Sequence, residues 1–258
     1  MLKSVLILFA LLFAAPAWAQ TASDLRDLLT AGDFDEARMM GEALGTAEGY
    51  ALAAEGLASQ IFLGEVGKLH SNSKVALKLA EKALELDPSL YEAKLQYALA
   101  DGFVTRTTSD ITSWRKGLPP KTLARIQAFR ADYPQDPRGL ALEGAWHLAI
   151  IRKLGEKKGE KWYGASLEKA ETLYGEARRL APNDVLIDTN YAMGYLALGG
   201  DVYGPKVKPI LETIAAQPVN EYVYAQVQIK AGKVLAAFGD DKKVEKMAKR
   251  FLDGKPLE

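Results

Sequence analysis

The sequence predicts an all-α fold, an α-solenoid of antiparallel helical hairpins with about twelve helices. A recurring ladder carries the prediction: residues 76–88 read ALKLAEKALELDP and residues 170–182 read AETLYGEARRLAP. Ala76, Ala80, Ala83 and Pro88 correspond to Ala170, Tyr174, Ala177 and Pro182. Small residues at this spacing let one helix lie close against another, and the proline stops the segment. The second observation is the texture of the chain, in which long stretches of Ala, Leu, Glu, Lys and Arg carry apolar residues three and four apart and are broken by Gly, Pro and Asx. The third is that strand signals are nearly missing.

The first segment does not belong to that fold. Lys3 precedes an apolar run from Val5 to Ala15, and Pro16-Ala17-Trp18-Ala19-Gln20 supplies an A-x-A cleavage signal. The run is about 11 residues, against the roughly 20 of a spanning helix. Residues 1–19 are therefore expected to be a cleaved secretory signal peptide. Residues 20–258 are expected to form a single helical repeat domain, periplasmic or secreted, with no membrane insertion after cleavage. Zero cysteines exclude disulfides, cysteine zinc sites, thiol nucleophiles and a lipid anchor on Cys, so stability must come from packing. The whole chain balances 33 basic against 33 acidic residues, and loss of Lys3 with the leader leaves 32 against 33. No net field recruits nucleic acid or an anionic membrane, and neither is an expected partner.

Helix starts carry recognisable caps. Asp33 with Glu36 and Ser89 with Glu92 fit the capping box, and Asp87-Pro88 and Asp136-Pro137 place proline where its missing N–H costs nothing. Gly164-Ala165-Ser166 opens the helix that carries the second ladder. Gly175 and Gly194 fall inside helices, where glycine costs about 1 kcal/mol relative to alanine, and read as close contact points.

These residues resemble the tetratricopeptide-repeat family, whose pattern W-x2-L-G-x2-Y, A-x3-F-x2-A, P extends over about 34 residues. Leu63-Gly64 followed by Ala76, Ala80, Ala83 and Pro88 reproduces one unit without its large aromatics. Ala170, Tyr174, Ala177 and Pro182 match a second B helix, Ala192 and Tyr195 the A helix after it, and residues 32–37 the inter-helix turn. Phe129 and Pro137 add a weaker unit. The resemblance implies a right-handed superhelix that binds another protein or peptide through its concave groove or its loops. A more distant likeness, to the helical-repeat component of tripartite periplasmic solute transporters, implies a ligand cavity and a solute-binding partner.

The chain departs from the family in its spacing. Its closing prolines stand at 88, 137 and 182, intervals of 49 and 45 residues. The excess falls between the two helices of successive units, at residues 102–120 and 153–164, with a shorter segment at 199–205. Equivalent loops of a hairpin stack emerge on one edge, so these insertions are expected to decorate one rim. That rim supplies the first candidate binding set: Arg106, Trp114, Arg115, Lys116, Lys161, Trp162, Tyr163 and Tyr203. Aromatics give rigid contact area and cations select charge, although the same tryptophans could fold back over an end of the stack. The second set follows the family offsets onto the concave groove, with Ile61, Glu65, Leu95, Leu99, Leu148, Thr189, Met193 and Leu196. Ordinary core between the first helices is the competing reading of that set.

Catalytic patterns are missing. His70 and His147 are the only histidines and neither has ligand spacing; no P-loop, dinucleotide or nucleophile-elbow motif occurs. Asp132 and Asp136 lie close in sequence, but Asp136 is accounted for as a cap. The expectation is a noncatalytic scaffold with no cofactor and no metal, binding a protein or peptide of the cell envelope. A solute-handling accessory with a small-molecule ligand is the first alternative, favoured by an enclosed apolar cavity with convergent polar groups. A helical enzyme acting on an envelope polymer is the second, and would need clustered acids in a cleft. Lys242, Lys243, Lys246, Lys249 and Arg250 read as the solvated face of a terminal helix that caps the array.

Overall fold

A computed structural model describes residues 21–257. The expected signal peptide, residues 1–19, lies outside the described residues. These residues form fourteen α-helices and, among them, no strand: α1 (Ala22–Ala31), α2 (Phe34–Leu44), α3 (Ala47–Leu63), α4 (Leu69–Leu86), α5 (Tyr91–Thr107), α6 (Asp110–Arg115), α7 (Leu118–Asp132), α8 (Pro137–Leu154), α9 (Glu156–Tyr163), α10 (Leu167–Leu180), α11 (Val185–Leu196), α12 (Gly200–Ala216), α13 (Tyr222–Leu235) and α14 (Asp241–Leu252). Twelve of them pair as hairpins: α1/α2, α3/α4, α5/α7, α8/α10, α11/α12 and α13/α14. The remaining two, α6 and α9, are short helices inserted between the arms of the third and fourth hairpins. They occupy the two long insertions, which the spacing alone assigned to loops. The third insertion, residues 199–205, is not a loop either: it enters the first turns of α12.

The ladder residues form the seams it predicts. Ala76, Ala80, Ala83, Ala170, Tyr174 and Ala177 are all buried. The exchange of Ala80 for Tyr174 is compensated across the hairpin, because Tyr174 lies over Gly144, where a Cβ would stand 2.7 Å from the ring. Gly194 approaches Leu148 equally closely, at 2.6 Å for a built Cβ. Gly175 departs from this reading; its Cβ would meet nothing within 4 Å, and nothing in the structure explains the glycine.

Of the two Asp-Pro starts only Asp136-Pro137 is borne out; Pro88 lies in the turn between α4 and α5. Asp136 accepts from the Arg138 N–H at 2.8 Å, with Pro137 opening α8, and Ser166 caps α10 from the Lys169 N–H at 3.3 Å. The two predicted capping boxes do not form. Asp33 makes no side-chain cap bond, and Ser89 donates instead to Asp87 Oδ1 through its N–H (2.8 Å) and hydroxyl (2.6 Å), so α5 begins after Leu90. The preceding Asp captures the serine in a local turn before it can reach the helix. The box that does form joins Thr21 and Asp24 at the start of α1.

The first arms α3, α5, α8, α11 and α13 stand side by side, each against the next, and α13 returns to pack on α3 and α1. The solenoid is therefore closed. Its seam is built from both ends of the chain: Phe62 meets Phe251 edge-on at 5.4 Å, Phe34 meets Tyr222 at 5.7 Å, and Lys230 Nζ donates to the Leu63 carbonyl at 2.9 Å. At its tightest point Gly64 and Gly254, both with φ near +65°, touch through their backbones; a Cβ on Gly64 would lie 2.7 Å from the Gly254 carbonyl oxygen. The last two helices thus dock against the start of the chain rather than capping a free end.

Replacing Gly64 by Ala combines left-handed strain, about 1–2 kcal/mol, with a backbone clash that cannot relax locally. Gly45, also left-handed at φ 65° but with open space around it, isolates the strain alone. Gly45→Ala is expected to lower Tm by about 2–4 °C per kcal/mol of strain, and Gly64→Ala by at least twice as much. Calorimetry checks the difference, and equal shifts would mean that the two ends do not meet there.

Candidate functional site: a cavity inside the helical ring

Closure leaves the inward faces of the first arms without a packing partner, and they line an open-ended cavity of about 1500 Å³. Its wall is largely apolar. Ala58 and Phe62 come from α3, Leu95, Leu99, Gly102 and Phe103 from α5, Ala141, Leu142, Ala145, Leu148 and Ala149 from α8, Leu186 and Ile187 from α11, and Val223 from α13. Gly102 of α5 lies in the cavity wall, and a Cβ there would meet nothing within 4 Å.

The arms run in the same direction, and the polar groups separate accordingly. Where the arms begin, Arg26, Glu55, Glu92, Arg138, Asp184 and Glu221 line the cavity. Arg26 bridges Glu48 (3.0 Å) and Glu92 (3.3 Å), and Tyr91 donates to Asp136 at 2.6 Å with the Arg138 guanidinium 5.0 Å over its ring. Burial pushes the Glu55 carboxyl above its ordinary 4.5; Arg26 and Arg138 oppose the rise, whereas Glu92 and Glu221 add to it. Burial likewise pushes the Tyr224 hydroxyl up to about 12. Where the arms end, Arg106, Arg152, Lys153 and Lys161 line the cavity together with Ile111, Trp114, Trp162 and Tyr163. Lys153 pairs with Asp110 at 2.5 Å, which ties α8 to α6. Ile111, Trp114 and Trp162 are 74 %, 68 % and 55 % exposed.

The predicted rim set divides. Arg106, Trp114, Lys161, Trp162 and Tyr163 converge on this one mouth. Arg115 and Lys116 are exposed outside the cavity lining, and Tyr203 packs on Tyr195 at 5.0 Å beside the core. The groove set divides too: Leu95, Leu99 and Leu148 line the cavity, whereas Ile61, Thr189, Met193 and Leu196 are completely buried between helices. These four are core, not groove. In α11 the cavity instead receives Leu186, Ile187, Asn190 and Gly194, the neighbouring helix face. Glu65 is exposed at the seam, accepting from the Tyr222 hydroxyl at 3.3 Å.

Sequence reasoning passed over Glu55, Gly102 and Arg152. Gly102 alone had a signal, a glycine inside a strong helical pattern. His147 accepts the Ser166 N–H through Nδ1 at 3.4 Å, and His70 Nδ1 lies 3.1 Å from the Thr107 hydroxyl. Asp132 pairs with Lys94 at 2.6 Å while Asp136 holds Tyr91, so the two acids have different partners. Among the described residues, no three of His, Cys, Asp and Glu converge as a metal would require. No helix among them is long and apolar enough to cross a membrane. Compared with known protein families and with curated proteins, the chain matches none.

The raised Glu55 carboxyl has a thermodynamic consequence. Between its ordinary value and its raised folded value the native state binds more protons than the unfolded state, so stability falls as pH rises through that window. Glu55→Gln is expected to raise Tm at pH 7.5, with the advantage over wild type disappearing as the pH is lowered below about 4. Thermal melts from pH 3.5 to 8 check this, and a stability loss at neutral pH would reverse the assignment.

Proposed function

We propose that the protein is a noncatalytic binding protein, periplasmic or secreted, that holds an apolar or amphipathic small molecule inside its helical ring. The supporting observation is closure: first arms that would present an open groove in an unclosed solenoid here surround a cavity of about 1500 Å³. Ligand pockets commonly run from about 300 to 1,000 Å³ with apolar walls and few polar groups, and this cavity has that make-up with room to spare. The tetratricopeptide-like ancestry stays part of this reading, as does its likeness to solute-handling helical-repeat components.

A protein partner retains a place in it. Ile111, Trp114 and Trp162 form an exposed apolar rim around one mouth, a surface suited to a protein that docks there and exchanges the solute.

N-phenyl-1-naphthylamine, a neutral dye that fluoresces in apolar surroundings, tests the cavity. Wild-type protein is expected to bind it saturably. Gly102→Phe, whose Cβ has open space around it and whose ring adds bulk to the wall, is expected to abolish the signal while Tm holds or rises. Unchanged dye binding in that variant would place the site elsewhere.

A further inference from the structure

Of the three tryptophans among the described residues, Trp146 is buried and donates to the Pro119 carbonyl at 2.9 Å, whereas Trp114 and Trp162 are exposed at one mouth of the cavity. Ile111, three residues before Trp114 on α6, is exposed beside the same mouth. The two short helices do not need these side chains for their own packing, since α6 buries Ser113 and α9 buries Gly159. The helical period then turns Ile111 and Arg115 outward on α6, and Lys157 and Lys161 outward on α9.

This rim is cationic as well as aromatic. Arg115, Lys116, Lys157, Lys158 and Lys161 are exposed and, among the described residues, have no ion-pair partner. Against them stand the unpaired carboxylates Glu156 and Glu160, because Asp110 is already taken by Lys153. Five free cations and two free acids leave a local excess of positive charge, in a chain whose basic and acidic residues balance overall.

We propose that this rim seats the protein peripherally on an anionic phospholipid bilayer, with Ile111, Trp114 and Trp162 at headgroup level and the cavity mouth facing the membrane. An indole suits that boundary, because its rings are apolar while its N–H stays hydrated. Lysines and an arginine on the adjoining outward faces supply the attraction to negative headgroups. Size favours the bilayer over a protein as the occupant: the three side chains offer roughly 400 Å² of contact, half of the about 800 Å² per partner in a standard protein interface. A bilayer asks for no matched surface. The proposal extends the cavity reading above, since a mouth seated on lipid lets an apolar solute reach an apolar wall without crossing water. A protein that exchanges the solute would meet the rim once it has left the membrane.

Vesicle flotation tests this with the mature protein, residues 20–258, on phosphatidylcholine alone and with about 30 % phosphatidylglycerol. Wild type is expected to bind the anionic vesicles at least about tenfold more tightly than the neutral ones, a preference lost near 1 M salt. Lys157→Glu with Lys161→Glu should erase that preference. Trp114→Ala with Trp162→Ala should weaken binding about tenfold or more, with Tm kept within about 2 °C because both side chains are exposed. Brominated phosphatidylcholine in the anionic vesicles should quench the emission of bound wild type, which needs no variant. No vesicle binding, equal affinity for the two vesicle types, or unquenched emission from the bound protein overturns the proposal, the first leaving the rim to a protein partner. Gly102→Phe should still bind anionic vesicles while losing the dye signal measured without vesicles, so failure of the cavity reading and failure of the membrane seat are distinguishable.

Discussion

Everything inside this molecule depends on the contact between its two ends. In an open solenoid each hairpin touches only its neighbours, and the terminal units need polar outer faces. Here α13 packs on α1 and α3, and the backbones of Gly64 and Gly254 meet. Each residue is left-handed, which favours glycine at both positions, and at Gly64 the Gly254 carbonyl also occupies the space a Cβ would take, whereas a Cβ on Gly254 would stand 3.0 Å from the Ile61 carbonyl. Phe62 on Phe251 and Phe34 on Tyr222 bury aromatic surface on either side of that touch. Once the ring is shut, its five inner arms cannot pack against one another across the middle, because each is already held by its own hairpin partner. A cavity follows from the geometry.

Closure also sorts charge. The parallel inner arms bring their N-termini, with positive partial charge, to one end and their C-termini to the other. Glu92, Asp184 and Glu221 at the first end, and Arg152 and Lys153 at the second, answer those dipoles. Such pairing stabilises the helices and needs no ligand. Glu55 and Arg106 go further than dipole complementarity requires, since burial raises the carboxyl of one and leaves two nitrogens of the other without acceptors. The cavity therefore has a direction, with an acid-rich end and a cationic, aromatic end.

The hairpins were legible in the sequence because their signals are local. Ala76, Ala80 and Ala83, and their counterparts at 170, 174 and 177, lie within one helix each, and Pro137 marks its own boundary. Closure was not legible, because it depends on the summed rotation of six hairpins and joins residues as far apart as 64 and 254. The inner face of α11 was misread for a different reason. VLIDTNYAMGYL is apolar on most sides, so its period selects no face, and family offsets placed Thr189, Met193 and Leu196 inward when they are core. Trp114 and Trp162 were found by composition alone, yet they share a mouth because the two insertions fold as short helices between equivalent arms. Tyr203 failed to join them since its segment continues into α12.

Access to a closed ring must come through an end or through the seam. The seam is the poorer route: opening it separates two aromatic pairs, a part-buried lysine bond to the Leu63 carbonyl and the backbone contact of Gly64 with Gly254. The cationic mouth is held more loosely. Helix α6 is six residues long, is followed by a left-handed Gly117, and is tied to α8 by the Lys153–Asp110 pair, whose Asp side chain is largely exposed. Exposed pairs of this kind contribute about 0–1 kcal/mol, a small barrier to displacement. Helix α9 is likewise bracketed by Gly155 and Gly164, both at positive φ. Trp114 and Trp162 thus ride on the two elements with the least holding them, at the cationic end of the cavity. A route past these two short helices separates fewer contacts than one through the seam.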